Sequence, residues 1–533
     1  MKNTKKWLMT YFLCVILIAG MVIAAVVYVD PFMHYHKPLK DVFYYNLNNE
    51  RSQNDGITKH FDYDALITGS SMTENFKTTE LDEIFGVRSI KVPYSGGSYK
   101  ELNDNLVIAM RTHPGLKVIV RCLDMDRFFD TKDTMRTDLG KYPEYLYNAN
   151  PFDDANYLFN RDVLYTRVWN MIRNREKDPG ITSFDDYSNW MLSCKFGRKG
   201  VFSSPINEPI EKMTLTENEK STIQENIQIN VISLADQYPE TEFYYFFPPY
   251  SAVWWGNKYQ VGLVEKWVAA EKYIIEQILP HENIHLFSWN DRFDITTDLN
   301  NYKDISHYGE WVNSWMLVQM KQEKGHLTLE NYKVYLEQEQ NFYETYDYNS
   351  MFAQEDYECD YYAAGLLNQE ITQAEPWSMD VDKIHTAVLK NAEAVKINKA
   401  GDMEIWCHGK LPVANGDRGD LGEYLYTKDF SGIKFTIDDV TNYRVLSFYG
   451  KKINKHGQVS AYVYDETGNV VAEYTNRYSD LDDEWHMYAI DLAGIEGKVS
   501  VILNGNYVDD SGAEDSEFAF RRIEVREPMK LFL

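Results

Sequence analysis

The chain has 533 residues, of which 44% are hydrophobic and 15% aromatic, and its formal net charge at pH 7 is −27. This length and composition allow two or three domains with large hydrophobic cores. The negative charge argues against a nucleic-acid partner and against tight electrostatic docking of the chain on anionic lipid or naked teichoic acid, because like charges repel.

The N-terminus predicts a membrane anchor. Three lysines, at positions 2, 5 and 6, precede an uncharged run of 23 residues, 7–29. A run of that length crosses a bilayer, and positive charge before it places the N-terminus in the cytoplasm. The run is longer than the core of a signal peptide, and no small-x-small cleavage site ends it. We therefore expect residues 1–29 to be an uncleaved single-pass anchor, with the chain beyond Asp30 outside the cytoplasm.

Neither a metal nor a cofactor is expected. His34 and His36 share one face of an extended segment and could bind a metal, but no further ligand lies near them, so packing at the membrane interface is the preferred interpretation. The cysteines contain no Cys-x-x-Cys pair, so structural zinc is not expected either. They allow one disulfide without identifying it, and they lie at positions 14, 122, 194, 359 and 407.

Strands and helices alternate after residue 60. The pattern predicts strands and helices in turn at 63–68, 72–84, 88–93, 98–112 and 117–123. Such alternation is typical of an α/β fold with a parallel, doubly wound sheet. Residues 131–212 lose this rhythm and are expected to be an irregular, partly helical insertion beside the substrate cleft. Strands 243–247 and 284–287 then resume the alternation.

Ser71 is the candidate nucleophile. The first strand of the alternation ends in Gly69-Ser70-Ser71, and a helix-like segment follows. A serine at such a strand-to-helix turn is exposed at the carboxyl end of a sheet, where open α/β folds bind ligands. Its own N–H, at a helix start, points toward an anion there. Ordinary βα turns share this pattern, so this motif alone does not identify a nucleophile, and a second motif is needed to support it.

The second motif is Asp304-Ile305-Ser306-His307, just before a predicted helix. The spacing lets the carboxylate of Asp304 hold one ring N–H of His307 while the other ring nitrogen faces outward. This is the base and orienter half of a serine triad. In the alternative interpretation, Asp304 caps the helix and His307 packs on its first turn. Together with Ser71, the triad is the preferred interpretation.

The C-terminal part of the chain changes period. Residues 326–384 carry tyrosine and acidic residues at helical spacing and are expected to form a helical connector. Across residues 385–533, short alternating strands follow one another without helices, as in an antiparallel β-sandwich. The sequence leaves open whether this sandwich binds carbohydrate or only braces the enzyme.

The chain resembles the SGNH (GDSL-like) hydrolase superfamily. More narrowly, it resembles the membrane-anchored, extracytoplasmic branch that contains the teichoic-acid D-alanylation protein DltD and the alginate O-acetylation proteins. The resemblance covers roughly residues 28–325, and we place the SGNH-like domain at 30–325. It rests on the anchor followed by Val29-Asp30-Pro31-Phe32, on Gly69-Ser70-Ser71 where the superfamily has Gly-Asp-Ser, on Gly96-Gly97 after the second strand, and on Asp304-x-x-His307-Tyr308.

By position, the resemblance makes Ser71 the nucleophile, His307 the base and Asp304 its partner. It also implies an oxyanion hole formed by the backbone N–H of Ser71 and that of Gly96 or Gly97. These roles are what the resemblance implies for this sequence.

One departure concerns the third block of the superfamily, which supplies an asparagine to the oxyanion hole. Here the third strand runs into Asp124, and no asparagine stands there. Asp124 therefore marks only the third-block position, and the oxyanion hole would rest on its backbone donors.

The resemblance implies an extracytoplasmic serine acyltransferase or esterase that O-acetylates a cell-envelope polysaccharide through an acyl-serine intermediate. It implies a membrane-bound O-acyltransferase as the partner that delivers the acyl group, and a cell-envelope glycan as the acceptor. Residues 385–533 loosely resemble carbohydrate-binding jelly rolls. Two alternatives stay open: DltD-like D-alanyl transfer to teichoic acid, and a non-catalytic scaffold for a glycan or a membrane partner, which the missing asparagine favours.

Overall fold

The chain divides into two compact units. The first consists of Met1–Met191, Ser204–Asp298 and Ile305–Asn349, and the second of Leu192–Ser203, Leu299–Asp304 and Ser350–Leu533. The computed structural model describes residues 2–138, 141–148, 150–175, 179–190, 196–209, 211–353, 377–396, 403–409, 430–441, 443, 445–453, 459–475, 486–492, 494–505 and 516–526.

An apolar helix, α1 (Lys2–Val29), opens the first unit. Its stretch Thr4–Val29 has 26 residues, the most apolar 18 residues within it have a mean hydropathy of 2.9, and most of its side chains are exposed. Among the described residues, only this helix is long and apolar enough to cross a membrane, and signal sequences share its length and composition. Its last turn packs on the first unit, where Val26 and Val29 are fully buried. A helix that is able to span a membrane is thus confirmed, whereas its insertion, its topology and its retention as an anchor stay predictions.

The first unit is built on a five-stranded sheet in which all neighbouring strands run parallel. A separate short parallel pair is formed by β1 (Tyr44–Tyr45) and β5 (Gly180–Ile181). The strands of the main sheet are β2 (Ala65–Gly69), β3 (Ser89–Pro93), β4 (Val118–Cys122), β6 (Glu242–Phe247) and β7 (Ile284–Ser288).

The strand order of this sheet is β3-β2-β4-β6-β7. Every residue of its first three strands is buried, which explains why they read as short apolar runs rather than as alternating patterns. The direction of winding reverses between β2 and β4, and at such a point the carboxyl ends of the strands leave a crevice. The predicted α/β content and parallel sheet are confirmed.

Helices make the connections between these strands. Helix α2 (Glu50–His60) precedes β2, α3 (Thr78–Phe85) joins β2 to β3, and α4 (Tyr99–Thr112) joins β3 to β4. Helix α4 begins at a capping box in which Ser98 and Glu101 exchange side-chain to backbone hydrogen bonds.

The predicted helix 72–84 is wrong in its first half. Ser71–Thr73 form one turn of 3₁₀ helix, and α3 begins several residues later. The reason is Lys91 in β3, whose buried Nζ donates to the carbonyls of Glu74 (2.5 Å) and Phe76 (2.9 Å). A side chain thus satisfies carbonyls that would otherwise accept bonds in a continuous helix.

The stretch predicted as an insertion, 131–212, contains only short described elements. They include a π-helical stretch, Asp162–Val168, between α5 (Ala155–Leu158) and α6 (Trp169–Asn174), and then β5 and α7 (Arg198–Val201). The later helices of the first unit are α8 (Glu217–Ile227), α9 (Ser233–Gln237), α10 (Ala252–Gln260), α11 (Val264–Ile278), α12 (Phe293–Thr296), α13 (Glu310–Lys321) and α14 (Tyr332–Thr345).

The second unit contains two antiparallel sheets that share one apolar core. One has the order β10-β11-β18-β13-β16, with β8 paired to β18, and the other has the order β15-β14-β17-β12-β9. Phe448 and Phe520 from the first sheet and Val463 and Leu503 from the second lie in this core, as expected for a sandwich. Its strands are β8 (Trp377–Ser378), β9 (Val388–Lys390), β10 (Ala392–Lys396), β11 (Met403–Gly409), β12 (Gly432–Ile437), β13 (Val445–Lys452), β14 (Ser460–Tyr464), β15 (Val470–Thr475), β16 (His486–Asp491), β17 (Val499–Asn504) and β18 (Ser516–Arg526), with helix α15 (Val381–Thr386) between β8 and β9.

Candidate active site

Ser71 lies directly after the carboxyl end of β2. Gly69 has a φ of +155°, and an added Cβ there would collide with Thr73 and Cys122, so the turn requires glycine. Ser70 caps the following 3₁₀ turn, because its Oγ accepts the N–H of Met72 at 3.3 Å. The sharp turn leaves the Ser71 side chain only partly buried at the sheet edge.

The structure brings Ser71 and His307 together. Ser71 Oγ lies 2.8 Å from His307 Nε2, although 236 positions separate the two residues in the chain. Trp190 supports both, since its indole ring meets the imidazole edge-on at 5.5 Å between centroids and its Nε1–H donates to the Ser71 carbonyl at 3.5 Å. A hydroxyl in hydrogen-bond contact with an imidazole is the arrangement of an activated serine nucleophile.

The histidine loop is held from the end of β6. The Oγ of Ser251, the residue that also caps α10, donates to the carbonyl of Ile305 at 2.7 Å. This bond fixes the main chain two residues before His307. Asp304 is partly exposed and lies three residues before His307 in the same loop. Its role as the orienter of the ring stays a prediction.

The turn after β3 lies beside the turn of Ser71, because β2 and β3 pair in parallel and Tyr94 N–H donates to the Gly69 carbonyl at 2.8 Å. Almost every backbone group in this second turn has a partner. The Gly97 N–H donates to the Tyr94 carbonyl at 2.6 Å, and the Ser95 N–H donates to Glu50 Oε2 at 2.5 Å.

Guanidinium groups bind the carbonyls of the same turn. Arg51 Nη2 donates to the Ser95 carbonyl at 3.2 Å, and Arg136 Nη1 donates to the same oxygen. Arg127 Nη2 donates to the Gly96 carbonyl at 3.2 Å. These charge-assisted bonds hold the turn in one conformation.

The N–H groups of Ser71 and Gly96 at this edge have no acceptor among the described residues. Gly96 has a φ of +55°, and the Arg136 guanidinium occupies the space that a Cβ would need, so only glycine fits. Gly96 and Gly97 were the two glycines predicted to offer a backbone N–H to an oxyanion. Because the Gly97 N–H is already bonded within the turn, Gly96 is the remaining candidate. Both remaining groups are suited to bind an oxyanion.

Asp124 is engaged in structural contacts. It precedes a 3₁₀ turn after β4, its Oδ1 accepts the hydroxyl proton of Tyr250 at 2.6 Å, and its carbonyl accepts that of Tyr99 at 2.9 Å. Burial, and then the charge of Asp124, raise the pKa of Tyr250 well above its usual value, so the phenol stays protonated. An ionised carboxylate only accepts hydrogen bonds, so Asp124 does not replace the missing asparagine as an oxyanion donor.

Glu50 connects the two turns of the site. Burial raises the pKa of its carboxyl, against hydrogen bonds from the Ser95 N–H, Ser188 and Glu74 that lower it. A hydrogen bond between the carboxyls of Glu50 and Glu74 requires a proton on one of them, because ionised carboxylates only accept. Glu74 follows the Ser71 turn and Glu50 holds the Gly96 turn, so this pair links the two turns.

Lys91 supports the site from within the sheet. It is fully buried, and burial lowers its pKa to about 8, although nearby acidic groups act in the opposite direction. Sequence reasoning missed this residue, as it missed Arg51, Arg136, Glu50 and Trp190. For Lys91 a signal existed, since a lysine between Ile90 and Val92 interrupts an apolar strand.

The two candidate metal ligands bind other parts of the chain. His34 Nε2 lies 3.3 Å from Asp154 Oδ1, and His36 Nε2 lies 2.8 Å from the Val27 carbonyl. The described residues contain no cluster of three or more side chains that could hold a metal ion. Of the cysteines, those at 14, 122 and 407 are free thiols, and those at 194 and 359 lie outside the described residues.

No family model matches the chain, and no curated protein matches it. Solved structures are similar over parts of it. An arabinoxylan arabinofuranohydrolase of glycoside hydrolase family 43 from Bacillus subtilis is 10% identical, with a TM-score of 0.17, over 26% of this chain and 24% of its own, so this chain spans about a quarter of that enzyme.

Two further structures match more of their own length. A Streptococcus pneumonia protein provisionally described as a platelet activating factor is 13% identical over 51% of this chain and 89% of its own, with a TM-score of 0.25. The carbohydrate-binding module TmCBM27, studied for mannan recognition, is 8% identical over 29% of this chain and 97% of its own, with a TM-score of 0.19. At these identities and TM-scores the matches carry no argument about function.

Proposed function

We propose that this protein is a membrane-anchored, extracytoplasmic serine acyltransferase or esterase with an SGNH-type domain, acting on a cell-envelope polysaccharide. The observation that carries the proposal is the 2.8 Å contact between Ser71 Oγ and His307 Nε2 at the carboxyl edge of the parallel sheet. A hydroxyl bonded to an imidazole, beside two N–H groups that have no described acceptor, is what acyl transfer requires. The strand order is also that of flavodoxin-like, doubly wound sheets.

In the first half-reaction, His307 Nε2 takes the proton of Ser71 as Oγ attacks the carbonyl carbon of the acyl donor. The carbonyl oxygen becomes an oxyanion and accepts hydrogen bonds from the N–H groups of Ser71 and Gly96. Collapse of the tetrahedral intermediate breaks the bond to the leaving group, which takes the proton from His307. Asp304, in its predicted role, would hold the ring in the required tautomer.

In the second half-reaction, a hydroxyl attacks the acyl-serine. His307 removes its proton, the same oxyanion site stabilises the intermediate, and Ser71 leaves with a proton from the imidazole. A sugar hydroxyl gives the transferase and water gives the esterase. Acetyl is the proposed acyl group, and a membrane-bound O-acyltransferase is the proposed source of it on the ground of the family resemblance.

The second unit is proposed to bind the glycan. Its antiparallel sandwich has the architecture expected for a carbohydrate-binding domain, and its covalent linkage to an acyl-transfer domain in one chain would raise the local concentration of the acceptor. This assignment rests on architecture and on resemblance.

A non-catalytic scaffold is the second candidate, and Asp124 favours it. With the third-block asparagine replaced by a carboxylate that accepts from Tyr250, the oxyanion site has one donor fewer than the superfamily provides. Removal of one such donor costs about 10²–10³ in kcat. We prefer the enzyme because the nucleophile–base contact is in place.

The test is covalent labelling of the full chain, in nanodiscs, with a fluorophosphonate probe. We expect the wild type to be labelled at Ser71 and Ser71→Ala to be unlabelled. Ser233→Ala is the matched control, because it makes the same change at a partly buried helical serine of α9. A wild type that neither takes the label nor hydrolyses p-nitrophenyl acetate would favour the scaffold.

A further inference from the structure

Several large aromatic side chains of the first unit are exposed in one stretch, residues 152–175, which we call the arginine–aromatic segment. Phe152 is 90% exposed, Tyr165 69% and Trp169 60%, and Ile172 follows at 36%. Tyr165, Trp169 and Ile172 succeed one another at about one helical turn and so share a face. Single exposed apolar residues are ordinary, but a contiguous set of large ones marks a contact surface.

The second half of the segment, residues 161–175, is basic in a strongly acidic chain. It carries four arginines, at 161, 167, 173 and 175, against one acidic residue, Asp162, whereas Asp153 and Asp154 lie in the first half. The whole chain has a formal charge of −27. The expectation that the chain avoids anionic lipid therefore holds for its total charge, whereas residues 161–175 have the opposite sign.

The segment is fixed to the end of α1. The Tyr157 hydroxyl donates to Asp30 Oδ1 at 2.8 Å and accepts the Phe32 N–H at 3.1 Å, and the rings of Phe32 and Tyr157 stack. Asp30 is fully buried and also accepts the N–H of Tyr35 at 2.7 Å, while the Tyr35 hydroxyl donates to Asp154 at 3.1 Å. Because these hydrogen bonds join the segment to the end of α1, the segment stays at a fixed height relative to that end of the helix.

The height of that end of α1 in a bilayer follows from the length of the helix. At about 1.5 Å per residue, the 26 residues of Thr4–Val29 span about 39 Å, whereas a hydrocarbon core is about 30 Å thick. With Lys5 and Lys6 in one headgroup layer, the uncharged run 7–29 still spans about 35 Å, so about 5 Å at the end of α1 reaches the opposite headgroup layer. Tyr28 is 57% exposed there, which is the position of an interfacial aromatic residue. The arginine–aromatic segment contacts α1 at this end.

We propose that the arginine–aromatic segment lies in the headgroup layer of an anionic membrane, with Phe152, Tyr165 and Trp169 inserted among the lipids and with Arg161 and Arg173 on the lipid phosphates. Aromatic and basic residues together are the composition of interfacial membrane elements. The segment then gives the first unit a second attachment to the bilayer and fixes its tilt. The inference requires α1 to lie in a bilayer, and it does not depend on the chemistry at Ser71.

The test uses the full chain in nanodiscs and a genetically encoded, environment-sensitive fluorescent amino acid in place of Tyr165. Glu217 gives the matched control, since its side chain is 86% exposed on α8. With phosphatidylglycerol in the bilayer, we expect headgroup-level spin-labelled lipids to quench position 165 and to leave position 217 unquenched. Each arginine on an anionic surface shifts the insertion equilibrium about fivefold. Arg161→Gln together with Arg173→Gln should therefore reduce the quenching.

Three results would overturn the proposal. Equal, water-like emission at positions 165 and 217 would show that no lipid covers the segment. The same result is expected if the surface binds a protein partner instead of lipid. Quenching that is the same in purely zwitterionic nanodiscs, or that the double arginine variant leaves unchanged, would exclude the anionic headgroups. Fluorophosphonate labelling of Ser71 in the same samples reports separately on the proposed catalytic function.

Discussion

Two regions of the first unit bury carboxyl groups, and they differ in which other groups lie beside those carboxyls. At the carboxyl edge of the sheet, Glu50 holds the turn of Gly96, and Ser71 faces His307. In the second region, an oxygen of Glu271 in α11 and one of Glu339 in α14 lie 2.7 Å and 3.1 Å from the Tyr335 hydroxyl oxygen. Both glutamates there are fully buried, and burial raises the pKa of Glu271 to about 7.

The comparison shows that a buried, perturbed carboxyl is a weak marker of an active site. The Glu271–Glu339 region joins two helices through a tyrosine, and its described contacts include neither a nucleophile with a base nor a pair of open N–H donors. The Ser71 edge has both. We therefore expect substitutions at the sheet edge to change activity and substitutions in the glutamate region to change stability.

The largest effect is expected at His307. His307→Gln keeps a polar side chain of similar size but removes the base, so kcat for p-nitrophenyl acetate should fall about 10⁴-fold, with little change in the unfolding temperature. Glu271→Gln serves as the control in the comparison region and should keep wild-type kcat at neutral pH. Equal losses of kcat in both variants would remove the distinction between the regions.

Gly96→Ala should have the next largest effect. The new methyl group would meet the Arg136 guanidinium and strain a φ of +55°, which would displace the N–H from the oxyanion. We expect kcat to fall about 10²–10³-fold at nearly constant KM. Gly86→Ala is the matched control, because Gly86 is also left-handed, at φ +69°, but has open space around it. An active Gly96→Ala variant would refute the assignment of its N–H.

Glu271 predicts a pH-dependent stability. Its folded pKa of about 7 lies above the usual 4.5, so the unfolded chain loses this proton first and stability falls as the pH rises from about 4.5 to 7. Glu271→Gln should flatten this fall and raise stability at pH 8 by about 1–3 kcal/mol. Chemical denaturation at several pH values measures the slope.

Glu276 on the same helix provides the opposite control for that experiment. Burial acts against its charge, but hydrogen bonds from Lys272 and Tyr332 hold its pKa below the usual value. Its stabilising contribution is therefore present above the unfolded pKa and is lost as the pH falls. Glu276→Gln should slightly destabilise the protein at pH 7. Parallel pH profiles for the two variants would contradict the interpretation of Glu271.

The smallest effect is expected for Arg136→Lys. Its guanidinium binds the carbonyl of Ser95, which belongs to the same peptide unit as the Gly96 N–H, so it orients and polarises that donor. A lysine keeps the charge without the fork geometry, and kcat should fall about threefold to tenfold while KM holds. Guanidinium added to an Arg136→Gly variant should restore part of the rate. Restoration by NaCl alone would indicate a merely structural role.

Local patterns were sufficient for much of the fold and for the two central residues of the site. Ser71 was predicted from a strand that ends in Gly-Ser-Ser, and His307 from its spacing to Asp304 before a helix. Each signal depends only on neighbours within a few positions, because strand burial, turn chemistry and helix starts are local properties. The parallel sheet and the antiparallel sandwich were predicted for the same reason.

The supporting residues could not be predicted in this way. Arg51 and Arg136 bind one carbonyl from segments 85 positions apart, and Lys91 in a neighbouring strand binds carbonyls in the first half of a predicted helix, where the helix does not form. Such contacts depend on which strands become neighbours, and the strand order cannot be read from one sequence. The sequence likewise could not distinguish Gly96 from Gly97, because the distinction depends on the hydrogen bond that the Gly97 N–H makes within the turn.

The sequence by itself thus determined the apolar helix, the α/β alternation, the late antiparallel strands and the candidate pair of Ser71 and His307, because periodicity and turn residues act over short distances. Only the tertiary structure decided that the serine and histidine lie 2.8 Å apart, that Gly96 holds the open N–H, and that an arginine–aromatic segment lies beside α1. These facts depend on strand order and on long-range packing, which bring distant parts of the chain together.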